Sequence, residues 1–144
     1  MTVEGFQLIG QRPMVEAMPA WAPRFPQFDL VFGYSDLGHT FLVNSQSGEC
    51  AVLHPYRAAA KGYGAFADPA EFADRVLREQ GFADHVLRTE HVARIRDLLG
   101  PLAPEQVYIA TPYPFLGGSE APDTYDTGEL WTFLELVAQA QQLR

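Results

Sequence analysis

Apolar residues change their period along this chain, and the changes mark its elements. From Phe28 the pattern runs in short bursts divided by turn chemistry. Phe28–Tyr34 predicts a strand, and Ser35-Asp36-Leu37-Gly38 predicts a turn. His39–Asn44 predicts a second strand, with Phe41 and Val43 on one face and Thr40 and Leu42 on the other. Ser45-Gln46-Ser47-Gly48 is again turn chemistry, and Glu49–His54 predicts a third strand. Two tight turns make antiparallel pairing the expected result.

Downstream the period becomes helical. Asp68-Pro69-Ala70-Glu71 combines a capping acid, proline at the first helical position and a glutamate at the third. Phe72, Val76 and Leu77 give that helix its apolar stripe, and Gly81 is expected to end it. A second helical segment runs from Asp84 to Leu99, with a break expected near Thr89. Leu87, His91, Ile95, Leu98 and Leu99 line one side, and Gly100-Pro101 stops it. Val107–Thr111 predicts a short buried strand. Pro112–Asp126 reads as a long irregular stretch, and a length of that kind points to function or mobility. A last helix is expected to start at Asp126 or Thr127, with Leu130, Leu134, Val137 and Ala138 facing inward.

Residues 1–27 carry Pro13, Pro19, Pro23 and Pro26, which disfavour helix and suggest an extended or irregular segment. Its Phe6, Leu8, Ile9, Trp21 and Phe25 imply that it packs on the core. Residues 28–144 complete the expected unit: a single α+β domain with a mainly antiparallel sheet against about three helices. The length of 144 residues suits one domain, and 47% apolar content argues against disorder.

Charge changes the picture more than composition does. The net charge of −8 disfavours nucleic acid as a direct ligand, because phosphate binding needs a basic surface. The excess is uneven: residues 68–144 hold thirteen acids and six bases, and no Lys or Arg occurs from Asp97 to Leu143. Such a surface attracts a basic partner. In the helical region four acid–arginine pairs have spacing four: Glu71–Arg75, Asp74–Arg78, Asp84–Arg88 and Glu90–Arg94. They are expected to neutralise one another locally. No apolar run approaches 18 residues, so no membrane helix is expected, and Met1–Pro13 does not read as a signal peptide. A cytoplasmic location follows as the expectation.

A search for chemistry finds little. Cys50 is alone and falls in a strand, so it reads as a buried small hydrophobe. His39, His54, His85 and His91 match no zinc spacing, no serine sits in a nucleophile elbow, and no phosphate loop is present. Asp123 with Asp126, or Glu120 with Asp123, could form a carboxylate pair, but a Pro- and Gly-rich loop would keep both solvated. Neither a metal nor a cofactor is expected, nor enzymatic activity. Gly62 and Gly64 flank Tyr63 beside Lys61 and form a candidate flexible joint able to hold an anion. An enzyme or small-molecule binder using a cleft near Tyr63 and His54 is the third functional class. The leading constellation is aromatic and acidic. Tyr113 and Tyr125 are candidate anchors, and Glu120, Asp123, Asp126 and Glu129 candidate charges, for binding another protein.

One stretch carries a resemblance. Gly100-Pro101-Leu102-Ala103-Pro104-Glu105-Gln106-Val107-Tyr108 leads to Pro112 and then Leu116-Gly117-Gly118, followed by an acidic loop and the helix Glu129–Leu143. This resembles the C-terminal domain of immunity proteins that protect bacteria from their own type VI secretion DNase effectors. Upstream, Phe32-Gly33-Tyr34, Asp36-Leu37-Gly38 and Ser47-Gly48-Glu49 resemble the GAD-like domain that usually precedes it, in abbreviated form. The layout is more distantly similar to SUKH proteins. The resemblance covers residues 30–143. It implies a toxin-neutralising protein whose partner is a cognate bacterial toxin, a basic nuclease foremost, and it brings no catalytic residue with it. A non-immunity adaptor module of the same fold is the alternative.

Overall fold

Five strands form one antiparallel sheet in chain order: β1 (Phe6–Pro13), β2 (Leu30–Ser35), β3 (Thr40–Val43), β4 (Glu49–His54) and β5 (Ala59–Ala65). A separate two-stranded antiparallel sheet pairs β6 (Gln106–Ala110) with β7 (Tyr125–Glu129). The helices are α1 (Met14–Ala17), α2 (Pro69–Phe72), α3 (Gln80–Phe82), α4 (Thr89–Leu99) and α5 (Leu130–Ala140). The first of two wide, π-type turns continues α2 through Ala73–Leu77, and the second continues α3 through Ala83–Leu87. The structure is a computed structural model and describes residues 4–142. Met1–Val3 and Leu143–Arg144, parts of the expected first and last segments, lie outside the described residues. The α+β class is as expected, with more helical pieces than the three anticipated.

Alternation along β3 and β4, and along β2 with a register shift between Val31 and Gly33, gives the sheet two apolar faces. On one face Val31, Tyr34, Leu42, Ala51 and Leu53 meet Leu130, Phe133, Leu134 and Val137 of α5 together with Met14, Met18 and Trp21. On the other, Phe6, Phe32, Phe41, Cys50 and Val52 meet Phe72, Leu77, Phe82 and Leu87. A third cluster joins α4 to the small sheet: Val92 and Ile95 against Tyr108, Ala110 and Tyr125, with Leu37 from the β2–β3 turn. Burying a large apolar side chain contributes about 1.5–3 kcal/mol, so all three layers carry stability.

Several expectations need correction. The N-terminal segment does pack on the core, but Phe6–Pro13 is an edge strand paired with β2, its register shifting between Leu8 and Arg12, and Leu8 is exposed. Residues 59–65 are not a flexible joint. They form β5, the opposite edge, where Cys50 faces Gly64 and Ala51 faces Gly62, so Tyr63 is the extra residue of a bulge. Gly64 absorbs it at φ +91°. Gly81 does not end a helix; the chain stops at Arg78, restarts with Glu79 as the cap, and carries Gly81 inside α3. The break near Thr89 falls at Arg88, whose φ is +53°. On α4 the inward positions are Val92 and Ile95, while Leu98 and Leu99 are exposed. Of the four acid–arginine pairs, only Asp74–Arg78 forms an ion pair among the described residues. The expected start of the last helix, Asp126-Thr127-Gly128-Glu129, is strand β7, paired residue by residue with β6.

Candidate functional site

The aromatic and acidic residues of the 112–129 region divide into different roles. Tyr125 is not an available anchor. It is the inward residue at the start of β7, 8% exposed, with its hydroxyl 3.1 Å from His91 Nε2. Burial pushes that hydroxyl up to about 12. Tyr113 is half-buried, its ring stacked on Phe115 at 5.6 Å and edge-on to Phe133. Leu116, in the same short turn (Pro114–Leu116), is exposed. Glu120 is neutralised by Arg88 at 2.6 Å. Glu129 caps α5 by accepting the backbone N–H groups of Trp131 and Thr132, so its charge already serves the helix N-terminus. Asp123 and Asp126 remain exposed, and neither forms an ion pair among the described residues.

Those two carboxylates stand on a firm base. The turn Pro122–Thr124 is closed by Thr124 Oγ1 donating to the carbonyls of Ser119 and Ala121. Thr124 is tied to the end of β6 because the Thr111 N–H and hydroxyl both donate to its carbonyl. Tyr125 then locks into the α4 cluster, and Asp126 follows with its side chain outward.

A second constellation lies nearby and has the opposite sign. The register Thr40↔Leu53 places His39 across from His54, one position beyond the last ladder pair. Their rings meet edge-on at 4.9 Å. Val52 pairs with Lys61, so Lys61 stands on the same sheet face as the two histidines. The turn Pro55–Arg57 adds Tyr56 and Arg57, the π-type end of α3 adds His85 and Val86, and the left-handed Arg88 brings in its guanidinium. Phe115 and Glu120 close the far wall. Together these residues line a cleft of about 580 Å3, a size typical of small-molecule sites.

His39 is held in one tautomer. The Ser35 hydroxyl accepts the backbone N–H groups of Leu37 and His39, at 3.3 and 3.0 Å, which occupies both its lone pairs. Its single proton is left to donate to His39 Nδ1, 2.7 Å away. Nδ1 is thus an acceptor and Nε2 carries the ring hydrogen. Burial, and then the neighbouring His54, Arg57 and Arg88, hold the imidazole down at about 3. Burial followed by Arg57 and Lys61 also lowers His54. Both rings are neutral at pH 7. The sequence pointed to Lys61, Tyr63 and His54 but not to His39, Arg57 or Arg88. Only the strand register brings in His39, and only the left-handed backbone at Arg88 turns that side chain toward Glu120.

Among the described residues, no group of three or more His, Cys, Asp or Glu side chains could hold a metal ion. No helix among them is long and apolar enough to cross a membrane.

Fold and site define an α+β domain with a five-stranded meander covered on both faces. No protein-family model matches the sequence, and no curated protein is similar to it. Solved structures do share the fold. The crystal structure of Atu4351 from Agrobacterium tumefaciens has a TM-score of 0.63 and 20% identity, over 95% of this chain and 68% of that one.

Proposed function

We propose that this protein is an immunity protein: in the cytoplasm it binds a cognate toxin, a basic nuclease by preference, and occludes its active site. The observation that carries the reading is the pair of exposed carboxylates, Asp123 and Asp126, fixed on a turn and strand with no ion pair among the described residues. The resemblance over residues 30–143 supports it. A nuclease presents a basic cleft to hold phosphates, and an acidic surface fits that cleft. Tyr113 and the exposed Leu116 replace Tyr125 as the apolar part of the patch. Glu120 and Glu129 lie at its rim, already engaged with Arg88 and the α5 N-terminus. Charge governs the encounter rate, and desolvated apolar contact governs the lifetime of the complex.

The test is co-expression with the product of the adjacent open reading frame, followed by affinity measurement at several salt concentrations. Replacing both acids, Asp123→Lys with Asp126→Lys, should slow association about tenfold or more at low salt and flatten the salt dependence. Unchanged association and an unchanged salt slope would remove this patch from the account.

A further inference from the structure

The cleft between β4, β5, α3 and the 112–120 loop stands out because its charge opposes that of the whole molecule. Three permanently charged cations line it, Arg57, Lys61 and Arg88, against one carboxylate, Glu120. Glu120 is bonded to Arg88, which leaves Arg57 and Lys61 with no ion pair among the described residues. In a protein with eighteen acids and ten Lys and Arg, simple solubility does not call for a cavity of this sign.

Its walls are as particular as its charge. His39 presents a ring N–H rather than an acceptor, since Ser35 occupies Nδ1. The Tyr56 ring, on the same lining, packs against Tyr113, Phe115 and Phe133. Lys61 lies 5.2 Å from the centre of the Tyr63 ring, which braces the ammonium. Tyr56 and Phe115 add aromatic surface, 6.1 Å apart between ring centres. The inventory is two unneutralised cations, a neutral ring N–H donor and flat apolar faces, within a volume that admits one small organic molecule.

We propose that this cleft binds a phosphate group, either as free phosphate or as a monoester carrying an aromatic ring, of mononucleotide size. Arg57 and Lys61 hold the dianion. The guanidinium offers a paired-donor edge and the ammonium a compact charge. The His39 ring N–H completes the donor set. Tyr63 and Phe115 provide the faces for a ring, and ring–aromatic stacking adds about 1–3 kcal/mol in nucleotide complexes. The site shares Glu120 with the rim of the acidic patch, but its test reads phosphate binding rather than toxin capture, so neither proposal falls with the other.

The test titrates the intact protein with inorganic phosphate, adenosine 5′-monophosphate and adenosine at constant ionic strength. Calorimetry gives affinity, and the ring signals of His39 and His54 report location by nuclear magnetic resonance. Perturbation of both histidines by phosphate and nucleotide, with none from adenosine, is the expected result. A nucleotide bound more than about tenfold tighter than phosphate identifies the ester as the ligand, since tenfold corresponds to one stacking contact of about 1.4 kcal/mol. Equal affinities identify free phosphate. Arg57→Gln and Lys61→Gln, both exposed substitutions, should each weaken binding about tenfold, the loss of one charge-assisted contact. The proposal is overturned if neither phosphate nor nucleotide shifts the histidine signals, or if the double variant binds as the native protein does.

Discussion

Removing one buried hydroxyl, with Ser35→Ala, should unfold this protein several degrees early. Ser35 has no solvent exposure, and its Oγ is the hub of the β2–β3 turn. It accepts two backbone N–H groups and donates to His39 Nδ1. The turn's backbone bond from Ser35 N–H to the His39 carbonyl survives the substitution, so the register is kept. Left behind are the Leu37 and His39 amides and one ring acceptor, all without the oxygen that served them. A net hydrogen bond is worth about 1 kcal/mol, and a buried orphan costs about 1–3 kcal/mol. The Leu37 contact is long, so the total comes to about 2–4 kcal/mol. In a domain of this size that lowers the melting temperature by roughly 5–15 °C. Urea titration measures it, with an unchanged slope showing that the native state stays compact. Long-range proton–nitrogen correlation on the wild-type ring gives the second reading, in which Nε2 must bear the hydrogen. A loss below about 0.5 kcal/mol, or a hydrogen on Nδ1, would refute the reasoning about the Ser35 lone pairs.

His39 should also make the fold acid-sensitive. Its pKa falls from 6.5 in the unfolded chain to about 3 when folded, so its stabilisation is complete above 6.5 and is lost as pH drops toward 3. Stability should fall with acid by about 1.4 kcal/mol per pH unit more in the native protein than in His39→Gln between pH 6 and 4; parallel curves would contradict this. Gly38→Ala should destabilise by about 2–4 kcal/mol, since a side chain there is strained at φ +95° and a Cβ would collide with the Phe133 ring. A cost under about 1 kcal/mol by denaturant titration would show that α5 yields at that point.

Local chemistry and tertiary context can be told apart element by element. β4 was legible to the residue, because Gly48 and Pro55 bracket it and its apolar positions need no distant partner to be recognised. The Asp68 cap was equally plain: its carboxylate accepts the Glu71 N–H, and Glu71 returns the bond to Ala67. β1 was hidden because six of its eight residues are exposed, and an edge strand is held by backbone pairing that leaves no apolar alternation. β7 was misread because Asp-Thr-Gly-Glu suits a helix start, and the true cap, Glu129, lies three residues further on. Gly128 belongs in that strand because the Ile109 side chain fills the space over it. The acidic patch was only partly legible. Asp84 stands four residues before Arg88, yet Gln80 takes Asp84 and Glu120 takes Arg88. Spacing along a helix could not foresee that exchange, because the left-handed turn at Arg88 ends the helix first.

Both indoles of this protein lie along one seam. Trp21 donates its ring N–H to the Leu134 carbonyl of α5 from full burial. Trp131, on α5 itself, has the Arg12 guanidinium of β1 4.8 Å above its ring and donates to Glu105. Intrinsic fluorescence is therefore a built-in optical gauge for the docking of the first strand and its following loop onto the closing helix. Any event that lifts the N-terminal segment exposes Trp21 and shifts the emission to the red.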